Sequence, residues 1–285
     1  MKRHTFTTPG EFLAAAQTQL EKQEVINSLV LGIPQRMMKR TARSDTQAYF
    51  AAVFDDGKLV IACFMTPPHG LVLSSAAGDP HKALHLIAED LHAQGWPVPN
   101  VLGPNPLGQA FAHIWGQHTR KAYQLEMGQR IYELREVVPP PLSAPGELRL
   151  ADPGASDLLA EWLLAFDQDA FGKQVRTAED AFAFIEMNLE AGGVYIWHDG
   201  APVSMVMRSR PTRHGITVNM VYTPPELRRR GYASASVAAL SQRLLDEGYD
   251  FCTLFTDAAN PTSNKIYMQI GYQAVCDFDK YAFNV

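Results

Sequence analysis

The spacing of apolar positions changes repeatedly along this chain, from helical to extended and back. Thr8-Pro9-Gly10-Glu11 has the form of a capping box with proline at the first helical position, and Phe12, Leu13, Ala16 and Leu20 follow on one side of the helix. Apolar strands fill "AYFAAVFDDGKLVIACFMTPPHGLVLSS", where Asp56-Gly57 predicts a hairpin turn. "DPHKALHLIAEDLHAQG" predicts an amphipathic helix ending at Gly95. It is followed by a short strand in "VPNVLGP", a helix in "PLGQAFAHIWGQHT" and a strand region in "YQLEMGQRIYELREV".

The same alternation starts again after residue 147. "ELRLAD" reads as a strand and "ASDLLAEWLLAFDQDAFG" as one or two helices, and Thr177-Ala178-Glu179-Asp180 caps another. "GGVYIWHDGAPVSMVMRSR" predicts a hairpin around Asp199-Gly200, and "GITVNMVYT" a strand. A helix follows from Ser236 to Leu245, with Val237, Leu240 and Leu244 apolar. "DFCTLFTD", "NPTSNKIYMQIGY" and "AVCDFDKYAF" then read as strand, turn plus short helix, and closing strand.

Between these regions lies "VVPPPLSAPGELRL" (137–150), whose prolines, serine and glycine mark a semi-stiff linker. The chain has 285 residues, more than the usual ~100–150 of one domain. We therefore expect an α/β protein in two parts: an N-terminal α/β domain at 1–137, a Pro-rich linker at 138–146 and a second domain at 147–285. The halves share element order without sharing a visible motif.

Composition narrows the function. A 46% hydrophobic and 19% charged chain belongs with globular proteins. A net charge of −5 argues against general nucleic-acid or anionic-membrane binding. The three cysteines, Cys63, Cys252 and Cys276, are odd in number and far apart. They form neither a zinc ribbon nor a disulfide framework, and fit a reducing cytoplasm. The stretch MKRHTFTTPGEF has no apolar core of the secretory type, and no window has the ~18 apolar residues of a membrane span.

"PPELRRRGYASA" (224–235) places three arginines at the start of a helix, where the macrodipole favours acids, and Arg230-Gly231 provides no capping side chain. A strand, a Pro-Pro turn and Arg228-x-x-Gly231-x-Ala233 opening a helix would form an anion site. The missing cap would then be a phosphate held by helix amides and arginines. A solvated basic turn with Ser234 as cap is the plainer alternative. Downstream, Asn260-Pro261 reads as a cap with proline at the first helical position, and Gly271-Tyr272 as a Schellman-type ending. Tyr267 fits either a core or a functional position.

Taken together, V-Y-T-P-x-E-L-R-x-R-G-Y-A and N-P-x-S-N-x-x-Y-x-x-I-G-Y resemble the GNAT superfamily of N-acetyltransferases over about residues 147–285. The layout is similar to glycine N-acyltransferase-like proteins, which implies a degenerate GNAT-like N-terminal half. The resemblance implies a GNAT acyl-CoA N-acyltransferase fold and acetyl-CoA as co-substrate, without a metal. The acceptor would be a small amine, an amino acid or a peptide. Val221, Tyr222 and Thr223 would line the thioester. Arg228, Arg229, Arg230, Gly231, Tyr232, Ala233 and Ser234 would hold the pyrophosphate, and Asn260 and Ser263 would bind the coenzyme arm. Tyr267 would be the general acid. Asn219 through a water, Glu186, Glu190, His214 and solvent all stand as candidate bases. A non-catalytic coenzyme A-binding module is the alternative.

Two further features have ordinary readings. His81, His85 and His92 lie near one face of a helix beside Leu84, Ile87 and Leu91, with no HExxH pattern, and read as a polar helix edge. The stretch 163–172 lies where the resemblance places a substrate-covering loop, so Phe166, Asp167, Asp169 and Phe171 are candidates to touch the acceptor.

Overall fold

One mixed sheet of twelve strands runs through the protein, a computed structural model that describes residues 1–39 and 47–283. The first half contributes β1 (Lys2–Phe6), α1 (Pro9–Leu20), α2 (Ser28–Lys39), β2 (Tyr49–Asp55), β3 (Lys58–Met65), β4 (Leu71–Ser75), α3 (His81–Ala93), β5 (Asn100–Pro104), α4 (Leu107–Thr119) and β6 (Tyr123–Leu134). The second contributes β7 (Glu147–Leu150), α5 (Ser156–Phe171), α6 (Ala178–Glu190), β8 (Val194–Asp199), β9 (Ala201–Ser209), β10 (Gly215–Tyr222), α7 (Tyr232–Asp246), β11 (Phe251–Asp257), α8 (Pro261–Gln269) and β12 (Gln273–Phe283). Short 3₁₀ turns aside, both halves follow one order, β-α-α-β-β-β-α-β-α-β.

The spatial order is β1-β2-β3-β4-β5-β12-β6-β11-β10-β9-β8-β7. The last strand of each half has crossed over: β12 pairs with β5 and β6 pairs with β11, both antiparallel. β6 and β12 also pair with each other from Gln273↔Glu133 to Phe283↔Tyr123. The proline-rich connection therefore does not separate two sheets. It carries the chain from the central β6 to the edge strand β7, and it packs on the way. The Val138 amide donates to the Ile270 carbonyl at 3.0 Å, and Trp197 Nε1 donates to the Pro145 carbonyl at 2.7 Å.

Helices cover both faces. In the first half α3 and α4 pack on one face, with Leu84, Ile87, Leu91, Phe111 and Trp115 buried, while α1 and α2 cover the other around Phe12, Leu20, Leu31 and Phe64. In the second half α7 buries Val237, Leu240 and Leu244 against β10 and β11, and α5 and α6 bury Leu159, Leu163, Ala181 and Ile185 on the opposite face. Among the described residues no helix is long and apolar enough to cross a membrane.

The local signals act as their chemistry predicts. Thr8 and Glu11 form a capping box, as do Thr177 and Asp180, and Asp56, Gly57 and Gly200 take the positive φ their hairpins need. Two elements depart from the sequence pattern. α2 contains Pro34, which reads as a breaker; its helix is held by buried Leu29, Val30 and Leu31 rather than by propensity. β1 is a mostly exposed edge strand without an apolar signature, and its pairing with β2 defines it.

A buried carboxylate joins the halves. Glu24 accepts from the His214 amide at 2.8 Å and lies 2.7 Å from His214 Nδ1. Burial raises the Glu24 carboxyl, but the Thr212 hydroxyl and the His214 amide and ring together hold it below its ordinary value. A depressed carboxyl contributes stability above its unfolded pKa and loses it as pH falls through the folded value. Glu24→Ala should therefore destabilise by about 1–3 kcal/mol near neutral pH, the cost of stranding those donors. Thermal melts should show the gap between variant and wild type narrowing below about pH 4. A gap that is unchanged at acid pH would remove the linkage.

Candidate functional site

β10 and β11 are parallel neighbours that part company. They pair only at Gly215↔Phe251, Ile216↔Cys252 and Thr217↔Thr253, although they run on to Tyr222 and Asp257. β11 stays paired with β6 as far as Asp257↔Gln129 and β10 with β9 as far as Tyr222↔Met205, so the sheet splits between β10 and β11. Its register against β9 shifts between Asn219 and Tyr222, and Met220 has φ 49°. Such a parting at the carboxyl ends of parallel strands makes a crevice suited to ligands.

The chain leaving β10 is tied down before it turns. Thr223 donates its hydroxyl to Ser204 Oγ at 2.9 Å, and Ser204 Oγ donates to the Tyr222 carbonyl at 2.9 Å. Arg228 then folds back: Nε donates to the Thr223 carbonyl at 2.9 Å, the guanidinium pairs with Asp169, and it lies 5.7 Å over the Tyr222 ring. Arg228 thus fastens this turn to α5.

Arg229 and Gly231 both take the left-handed conformation, with φ 66° and 85°. For a non-glycine residue this costs about 1–2 kcal/mol. Left-handed residues at such a turn are a backbone component of anion-binding nests. α7 follows with no side-chain cap. Among the described residues the amides of 229–234 donate to no backbone carbonyl, and that of Ala235 is the first to do so, to Gly231 at 2.9 Å. α7 starts at Tyr232, four residues before the apolar spacing begins at Ser236, because left-handed Gly231 lets the chain enter the helix at once and the small residues Ala233 to Ser236 fill its first turn. Arg229 and Arg230 are exposed, and no carboxylate pairs with either among the described residues.

α8 supplies the second wall. Asn260 caps it through Oδ1, which accepts from the Ser263 amide at 3.1 Å. Its other end is a Schellman motif: the Tyr272 amide donates to the Tyr267 carbonyl at 3.0 Å, the Gly271 amide to Met268 at 3.2 Å, and Gly271 has φ 105°. Tyr272 and Tyr267 make the accompanying ring contact, 6.0 Å between centroids. Tyr267 is half-buried between Tyr272 and Tyr132, and burial pushes its phenol up to about 12. Its hydroxyl has no hydrogen-bond partner among the described residues, whereas those of Tyr132 and Tyr272 are engaged by Asn264 and Ser241.

These walls enclose a cleft of about 720 Å³. Of the residues singled out in the sequence, Val221, Tyr222, Thr223, Arg228, Arg229, Gly231, Tyr232, Ala233, Ser234, Asn260 and Ser263 line it. Arg230 and Tyr267 do not. Phe166 and Asp169 line it too, but from the last turns of α5, which is helical to Phe171 and ends at left-handed Gly172; no loop intervenes. Asp167 points elsewhere, fully buried and paired with Arg176 at 2.7 Å. Seven lining residues were not singled out in the sequence, Leu142, Ile266 and Gln269 among them. Leu142 belongs to the proline-rich connection and would contact a Cβ at Gly231 at 3.2 Å. Only tertiary packing brings it there, so no local signal marks it.

The candidate bases separate. His214 precedes β10 by one residue, about 23 Å of strand from Val221 at 3.3 Å per residue, and is engaged by Glu24. Glu186 and Glu190 are exposed on α6 and line no part of the cleft. Asn219 does not line the cleft either, but it stands at the bulge two residues before the lining Val221, and its buried Oδ1 has no hydrogen-bond partner among the described residues.

Comparison with known proteins places this geometry. A family model described as FR47-like protein matches residues 203–282, which span β10, α7, β11, α8 and most of β12. No curated protein matches the sequence. Solved structures resemble the whole chain. A Drosophila protein aligns with TM-score 0.67 at 12% identity, covering 99% of this chain and 98% of its own. A GCN5-related N-acetyltransferase from Sphaerobacter thermophilus aligns at 0.63 and 12%, covering 98% and 94%. A tandem GNAT protein from the clavulanic acid biosynthesis pathway aligns at 0.55 and 11%, covering 99% and 98%. The chain has the mixed α/β fold of GNAT acetyltransferases.

Proposed function

We propose that this protein is an acyl-CoA-dependent N-acyltransferase of the GNAT type, acting in the cytoplasm and transferring acetyl from acetyl-CoA to a primary amine. The acceptor is a small amine, an amino acid or a peptide. The observation that carries this reading is the uncapped start of α7: its first amides have no acceptor among the described residues, and Arg229, Gly231, Tyr232, Ala233 and Ser234 line a cleft beside a splayed strand. A helix start of this kind fits a pyrophosphate in both charge and hydrogen bonding. The catalytic apparatus lies in residues 147–285, and the N-terminal half is a degenerate GNAT-like domain that completes the sheet.

The thioester supplies the acyl group; the chain's own residues do the rest. Amides of Arg229 to Ser234 hold the pyrophosphate, with Arg229 and Arg230 adding charge-assisted hydrogen bonds. Arg228 keeps their turn in place. Val221, Tyr222 and Thr223 present backbone to the pantetheine arm and to the developing oxyanion. Asn260 and Ser263 border the coenzyme arm. Asn219, two residues before the cleft-lining Val221, orients through Oδ1 a water that takes the amine's proton, and Tyr267, next to the cleft-lining Ile266, gives its Oη proton to the departing sulfur. A phenol at about 12 keeps its proton until a basic thiolate develops beside it. Direct attack in a ternary complex then needs no covalent enzyme intermediate.

Release of free CoA from acetyl-CoA, screened over amines, amino acids and peptides, tests the reading. At least one acceptor should raise release well above the rate of hydrolysis. Tight coenzyme binding with no acceptor-stimulated release across the panel would instead favour a binding module.

A further inference from the structure

α3 and α4 bury apolar faces against the sheet and leave one outer surface crowded with imidazoles. His81, His85, Glu89 and His92 recur at spacings of four, four and three residues, which sets them along one side of α3. Spacing along α3 does not reveal the decisive partner, His118, which comes from the last turn of α4. Ring centroids are 6.0 Å apart for His85 and His118, 6.4 Å for His92 and His118, and 4.9 Å for His81 and His85. One ligand atom each from His85, Glu89 and His118 lies within 4.8 Å of the other two. None of these side chains has a hydrogen-bond or ion-pair partner among the described residues, although His113 on the same α4 is hydrogen-bonded to Gln117.

A solvated helix edge explains three histidines at helical spacing. It does not explain why a second helix adds another imidazole to the same point. Nor does it explain the uncommitted carboxylate between them. We propose that His85, Glu89 and His118 bind one divalent transition-metal ion of the zinc class, linking α3 to α4, with water or His81 in the remaining position. Two imidazoles and a carboxylate select zinc-like ions over magnesium or calcium, which prefer all-oxygen sites. Bonds of about 2.0–2.2 Å in a tetrahedron place ligand atoms about 3.4 Å apart. Side-chain rotation alone closes the gap from 4.8 Å, because the buried Leu84, Leu91 and Trp115 fix both helix backbones beneath.

Calorimetric titration of zinc chloride into the full, tag-free chain tests this. We expect one saturable equivalent, undisturbed by excess magnesium, and a zinc-dependent rise in melting temperature. His118→Ala and Glu89→Gln should each weaken binding about tenfold or more and abolish the rise, while His113→Ala leaves both unchanged. Metal-free melts of the variants should match wild type, which separates ligand loss from misfolding. No saturable uptake by wild type, or uptake undiminished by His118→Ala, would overturn the proposal. The acetyltransferase reading is untouched by either outcome.

Discussion

Ser234→Asp should raise the melting temperature of the free protein and weaken its binding of acetyl-CoA. Position 234 lies in the first turn of α7, whose opening amides have no side-chain acceptor. A carboxylate there meets the positive end of the helix and adds about 0.3–1 kcal/mol, or about 1–3 °C. The same carboxylate occupies the place proposed for the pyrophosphate and repels it. Losing one hydrogen bond to a charged group, at about 1.5–3 kcal/mol, weakens coenzyme binding about 10–100-fold. A structural role for this turn predicts only the first effect. Calorimetric melting and acetyl-CoA titration of one preparation read both. A more stable variant that binds as wild type does would move the coenzyme elsewhere.

Tyr267→Phe should have the larger effect on turnover. Its hydroxyl has no partner among the described residues, while its ring packs against Tyr132 and Tyr272. Removing the oxygen therefore leaves stability within about 0.5 kcal/mol. Loss of a positioned general acid lowers kcat by about 10²–10⁴-fold with little change in KM for acetyl-CoA. The phenol at about 12 also sets an expectation for pH: being neutral below that value, it should impose no alkaline decline in kcat below about pH 11. Steady-state kinetics on variant and wild type decide the matter. Wild-type kcat in the variant, or an alkaline limb near pH 9 that vanishes with it, would remove Tyr267 from this role.

Much of this site was legible because its determinants are local. A glycine that turns left-handed, small residues in a first helical turn, and an Asn-Pro start each act within a few residues, and Gly231, Ala233 and Asn260 could be read directly. What escaped the sequence depends on distant parts of the chain. Arg228 reads from the sequence as a phosphate ligand, and its engagement by Asp169, 59 residues earlier, and by the Thr223 carbonyl is visible only in the fold. Leu142 reaches Gly231 only because the connection crosses from β6 to β7 over the cleft. His118 joins His85 only because α3 and α4 share a face of the sheet. The crossed strands are likewise invisible to periodicity, since β6 and β12 would read identically paired within their own halves. α2 keeps Pro34 inside a helix for the opposite reason: burial overrules a strong local breaker.

The central claim is that α7 begins without a cap because a coenzyme pyrophosphate serves as one. Hydrogen exchange at the amides of residues 229–234, followed with and without coenzyme A, addresses it directly. These amides lack backbone acceptors in the free protein and should exchange quickly there. Saturating coenzyme should slow them selectively, leaving the middle of α7 little changed. Equal protection of 229–234 in the two states, with coenzyme demonstrably bound, would contradict the account.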